Sequence, residues 1–83
     1  MEKVLEFVSR LSSDKGFALF THKNEIWLSG YKDGKKVDIF IRFLKDGKIK
    51  FIYEIPEERK VALFLDEDNL VTRLKILTDY EVV

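Results

Sequence analysis

Between Lys36 and Ile55 apolar residues recur at every second position. Val37, Ile39, Ile41 and Phe43 alternate with Lys36, Asp38, Phe40 and Arg42, and the alternation resumes with Ile49, Phe51, Tyr53 and Ile55. A period of two marks a strand with one buried face. The tetrapeptide Lys-Asp-Gly-Lys occurs at 32–35 and again at 45–48, each time between runs of β-branched and aromatic residues. Asp-Gly in that setting is a strong hairpin signal, because Gly tolerates the positive φ of a tight turn. At the second copy the pattern predicts a three-residue loop, Lys45-Asp46-Gly47, with a type I turn ahead of a left-handed Gly. This loop pairs Phe43 with Ile49, Ile41 with Phe51, Ile39 with Tyr53 and Val37 with Ile55, so all eight share a face. A two-residue loop would mix charge into that set, and a slip of one residue would turn it over.

The opposite face then carries Asp38, Phe40, Arg42 and Leu44 against Glu54, Ile52, Lys50 and Lys48. Its ends are charged and its centre, Phe40 beside Ile52, is apolar. The first Asp-Gly turn leaves two registers open. A two-residue loop puts Ile26 and Leu28 on the apolar face and Trp27 and Tyr31 beside Phe40; a three-residue loop exchanges them. In either register, large apolar groups occupy both faces of the sheet.

Residues 2–14 read as a helix. Val4, Leu5, Val8 and Leu11 form one stripe with Phe7 at its edge, Glu2 and Glu6 suit its N-terminal end, and Gly16 is its stop. Phe17 to Thr21 and Ile26 to Tyr31 read as strands joined by the polar turn His22-Lys23-Asn24-Glu25. Lys36 to Leu44 and Lys48 to Ile55 follow as the third and fourth. Pro56 ends the last strand and suits the first position of a helix, with Glu57 and Glu58 in its first turn. Val61, Phe64 and Leu65 then share a helical face. Asp66-Glu67-Asp68-Asn69 reads as a break or a new cap, and Leu70, Val71, Leu74 and Leu77 as a second helical stripe. Residues 79–83 are expected as a frayed end or a short added strand. The predicted fold is α+β: an N-terminal helix, a four-stranded antiparallel meander and a C-terminal helical region, in a single domain over residues 1–83.

Composition narrows the setting. The chain has 83 residues, 46% of them hydrophobic, enough for one core and no more. It has no Cys, so disulfides and thiolate metal sites are excluded, which fits a reducing, cytoplasmic setting. No apolar run reaches the roughly 20 residues of a membrane span, and the N-terminal pattern is not that of a signal peptide. Gln is absent, Asn occurs only at 24 and 69, and Lys and Glu abound, a usage like that of thermophiles. The formal net charge is zero but unevenly spread: residues 31–53 are strongly basic and residues 54–83 strongly acidic.

Candidate chemistry is sparse. His22 is the single histidine, and a turn residue beside Asn24 and Glu25 lacks the ligand set of a metal site. Asp38 and Glu54 face each other across the third and fourth strands, and two close carboxylates can act as acid and base or hold a hard cation. No nucleophile, oxyanion donor or glycine-rich loop accompanies them, so neither a catalytic residue nor a cofactor is assigned. Lys32, Lys35, Lys36, Lys45, Lys48 and Lys50 cluster at the two turns. Hairpins projecting together would make a basic rim for phosphates, with aromatic side chains to stack on bases. Lysine also blunts sheet edges and solubilises turns, and Asp33 and Asp46 interrupt the cluster. The second sheet face weighs most. Trp27, Tyr31, Phe40 and Ile52 would form an apolar patch rimmed by charge, which marks an interaction surface if nothing in the chain covers it. The C-terminal Tyr80-Glu81-Val82-Val83 could be captured by an edge-strand-binding domain. The expectation is a small non-enzymatic binding module, acting on a protein partner or a second copy of itself. A nucleic-acid binder is the second reading, and an enzyme built on Asp38 and Glu54 is held in reserve.

Overall fold

The computed structural model describes residues 1–81; the predictions for Val82 and Val83, including C-terminal capture, lie outside the described residues. The element order is α1 (Glu2–Lys15), β1 (Ala18–His22), β2 (Glu25–Lys32), β3 (Lys35–Phe43), β4 (Ile49–Ile55), β5 (Glu58–Phe64) and α2 (Glu67–Thr78). The architecture is α+β, as the sequence predicts, but the meander has five antiparallel strands in the order β1-β2-β3-β4-β5.

The turns explain the registers. Phe43 pairs with Ile49, Leu44 accepts from Gly47 N–H and donates to the Lys48 carbonyl, and Gly47 takes φ 88°. This is the bulged three-residue loop expected from Lys45-Asp46-Gly47. At the first copy Lys32 pairs with Lys35, and Asp33 and Gly34 both take positive φ, 53° and 79°. Two positive values in a two-residue loop match the twist of a β-ribbon. The open choice is thereby resolved: Ile26 and Leu28 join the buried face, and Trp27 sits opposite Phe40.

The main correction concerns residues 57–65. The sequence places a helix there; the structure has the edge strand β5, joined to β4 by the two-residue turn Pro56-Glu57. Ala62 and Phe64 point into the core, while Val61 and Leu63 point out. Pairing with β5 satisfies the backbone groups along the outer side of β4, which a helix would have left open. Asp66 is the N-cap of α2, its carboxylate accepting from Asn69 N–H at 2.8 Å.

Both helices cover one face of the sheet. Val4, Phe7, Val8 and Leu11 of α1 and Leu70 and Leu74 of α2 pack with Ile26, Leu28, Val37, Ile39, Ile41, Phe51 and Tyr53 in one core. Each α1 residue in that set is at most 3% exposed; the predicted stripe docks, but with Phe7 inside it and Leu5, half-buried, at its edge. Gly16 ends α1 at φ 75°, and its N–H donates to the Ser12 carbonyl. The C-terminal end is held rather than frayed as far as it is described. The Tyr80 ring lies 5.7 Å from that of Phe7, and the Tyr80 hydroxyl donates to Asp14. No strand forms at residues 79–81.

Candidate functional site

The helices leave the other face of the sheet bare. Because the four pairings are all antiparallel and in matched register, one outward residue from each strand falls on a single line. Phe20 pairs with Trp27, Trp27 with Phe40, Phe40 with Ile52, and Ile52 with Val61. The line crosses the sheet from edge to edge without a polar residue. The rings of Phe20 and Trp27 are 5.2 Å apart, and those of Trp27 and Phe40 are 5.5 Å apart and within 16° of coplanar orientation. Trp27 is 42% exposed, Phe20 54% and Val61 55%. Side chains of this size left so open are not filling for the core.

Two residues along each strand, on either side of this apolar row, lies a charged row. The first runs His22, Glu25, Arg42, Lys50 and Leu63. Arg42 pairs with Glu25 at 3.5 Å, while Lys50 has no ion pair among the described residues. The second runs Ala18, Ser29, Asp38, Glu54 and Arg59. Arg59 pairs with Glu54 at 3.3 Å. Asp38 has no cation, and its Oδ1 is buried without a hydrogen-bond partner among the described residues. One flank of the apolar row thus carries an excess cation and the other an excess anion. A cleft of about 360 Å³ opens along the first flank, between Phe20, Trp27, Phe40, Arg42, Lys50 and Ile52.

The residues that the sequence singles out are placed as follows. Trp27, Phe40 and Ile52 stand in the apolar row. Tyr31 lies on the same face beside Lys36, farther along the strands, and is 70% exposed. Phe20 and Val61 complete the row and are not signalled by the sequence. The first needs the register of the Lys23-Asn24 turn, and the second needs β5 to be a strand.

The lysines do not form a common rim. Successive hairpins of a meander point in opposite directions, so the tip at Asp33-Gly34 and the tip at Lys45-Asp46-Gly47 lie at opposite ends of β3. Several lysines are also engaged: Lys32 Nζ donates to the Leu77 carbonyl at 3.0 Å, Lys35 pairs with Glu57 at 2.6 Å, and Lys48 pairs with Asp46 at 3.8 Å. The hydrogen bond between Lys35 and Glu57 raises the lysine pKa and lowers that of the carboxyl. Lys36, Lys45 and Lys50 have no ion pair among the described residues, and of the three Lys50 alone lines the cleft.

Asp38 and Glu54 are paired as the register predicts, with Arg59 against Glu54. Among the described residues no group of three His, Cys, Asp or Glu side chains is arranged to hold a metal ion. His22 is exposed at the end of β1, beside Glu25. Among the described residues no helix is long and apolar enough to cross a membrane. Comparison with protein-family models, with curated proteins and with solved structures finds no significant match.

Proposed function

We propose that this protein is a binding module whose bare sheet face closes against protein, and that the protein it meets is a second copy of the same chain. The observation that carries this reading is the uninterrupted row Phe20-Trp27-Phe40-Ile52-Val61, uncovered by either helix. Two sheets packed face to face, about 10 Å apart, would bury such a row between them. The face is large enough. Five strands about 4.8 Å apart, each about seven residues long at ~3.3 Å per residue, present roughly 550 Å². Two such faces together exceed the ~1,000 Å² that separates specific interfaces from chance contacts, and sit near its lower bound. A reversible dimer is the expected product.

Sedimentation velocity across a hundredfold range of concentration tests the reading. Trp27 is the single tryptophan, so its emission should move to the red as the dimer is diluted. Trp27→Ala should weaken association more than it weakens folding. A strict monomer at high concentration sinks the proposal, and a large loss of stability in Trp27→Ala would reassign the residue to the core.

One observation favours a second reading, single-stranded nucleic acid on the cleft: three aromatic side chains stand beside Arg42 and Lys50. Asp38 and Glu54 flank the same row on its other side and repel phosphate, which places this reading second. Labelled oligonucleotides titrated at low salt test it, where phosphate contacts are strongest. Absence of binding there removes it.

A further inference from the structure

The reading above says what the bare face is for; its charges say how two copies would meet. We infer that the two-fold axis of the dimer lies in the plane of the sheets, along the apolar row, so that the cationic flank of each copy covers the anionic flank of the other. The inference rests on the proposed self-association and goes beyond it to the residues that set its geometry.

Two in-plane axes can stack the face on itself. An axis along the strands through β3 places each flank on its own copy: Arg42 meets Arg42 and Asp38 meets Asp38, while Lys50 falls on Glu25 and Glu54 on Ser29. Like charges brought together in this way disfavour that pairing. An axis along the row keeps each strand above its own copy but reverses its direction. Phe40 then meets Phe40 and Ile52 meets Ile52 at the centre. Arg42 falls opposite Asp38, and Lys50 opposite Glu54, because each pair is equidistant from the central row along one strand. The strands of the two sheets run antiparallel to within about 30°, the ordinary angle of aligned sheet packing.

The one-copy structure shows the deficits this arrangement fills. Lys50 has no ion pair and Asp38 no cation among the described residues. Arg42 and Glu54, the two charges with a partner already, each hold it through one long contact, 3.5 Å and 3.3 Å. Each therefore retains capacity for a second. The apolar row supplies adhesion in any orientation; Asp38, Arg42, Lys50 and Glu54 select one orientation.

Charge exchange tests the axis. Arg42→Glu with Lys50→Glu makes both flanks acidic, and Asp38→Lys with Glu54→Lys makes both basic. Each double variant should lose association by roughly tenfold or more, the effect of about 1.4 kcal/mol. The quadruple variant exchanges the flanks and should recover the dimer, because opposite charges again meet across a row-aligned axis. About a strand-aligned axis the quadruple variant stacks like on like and stays monomeric, which overturns the inference while leaving self-association intact. Double variants that dimerise as well as the parent overturn it too. A second measurement does not depend on tolerating four changes. Chains carrying Arg42→Cys and chains carrying Asp38→Cys are mixed and treated with a short bismaleimide, the parent having no cysteine. A covalent dimer in the mixture but not in either chain alone supports the row-aligned axis. Crosslinking of each chain to itself supports the other axis. A protein that never associates, by sedimentation, defeats the underlying reading instead.

Discussion

Single residues set the fit between the first strand and the rest of the sheet. Gly30 lies on the inner face of β2, and a Cβ there would stand 2.6 Å from Phe17 Cγ. Its φ is not positive, so the requirement is space and not backbone conformation. The Phe17 ring occupies the place of the missing side chain and is 4% exposed. Gly30→Ala should therefore cost about 1–3 kcal/mol, as overpacking does, in urea denaturation. Combined with Phe17→Leu it should cost less than the two changes added together, because the clash is shared. Two tyrosines supply a pH prediction. The hydrogen bond to Asp14, then burial, raises the pKa of Tyr80; burial, then the Glu58 and Glu57 carboxylates, raises that of Tyr53. A group whose folded pKa exceeds its unfolded value contributes its stability in full below the unfolded value and loses it as pH rises through the folded one. The contribution of these two tyrosines should accordingly be level below pH ~10 and fall above it. Thermal melts between neutral pH and strong alkali should show the fall reduced in Tyr80→Phe with Tyr53→Phe. An equal fall in that variant would assign it to the lysines, of which Lys3 and Lys35 are also raised, by Asp68 and Glu57.

At the scale of elements, legibility tracks the contrast between the two faces of each segment. Residues 35–55 are readable because Gly47 permits one bulged loop and because burial of Ile39, Ile41, Phe51 and Tyr53 admits one register. The first Asp-Gly turn is ambiguous because Trp27 and Ile26 are both apolar, and only the positive φ of Asp33 settles it. β5 is misread for the same reason carried further. Val61 and Leu63 face outward and are apolar, so they erase the alternation against Ala62 and Phe64. What remains, Val61, Phe64 and Leu65 after Pro-Glu-Glu, imitates a helix with a good start. The feature that hides β5 from the sequence is thus the one that extends the apolar row to the sheet edge. Asp66 marks where helix truly begins. Asp66→Ala removes the acceptor for Asn69 N–H and should cost about 1 kcal/mol, read as a lower urea midpoint with an unchanged slope. If α2 began upstream, at Pro56, the same change would fall mid-helix and would not destabilise.

For the whole molecule the count of strands decides what remains bare. Helix and strand directions alternate along a chain with short connections, and five strands bring α2 back parallel to α1. Two contacts record this: Lys3 at the start of α1 pairs with Asp68 at the start of α2 at 2.9 Å, and Asp14 near the end of α1 accepts from Tyr80 after α2. Two helices side by side cover one face of the sheet, and the chain has no further element among the described residues for the other. A domain of this size is stabilised by a single core and has little to spare. Closing the bare face against a second copy would then raise folding stability by mass action, since only folded chains present the row. At a concentration about a hundred times the dissociation constant the gain is about 2.7 kcal/mol, which in a domain this small moves the melting temperature by on the order of ten degrees. The melting temperature of the parent should therefore climb with protein concentration, while that of Trp27→Ala should stay flat. A parent whose melting temperature ignored concentration over that range would mean that the row stays in water.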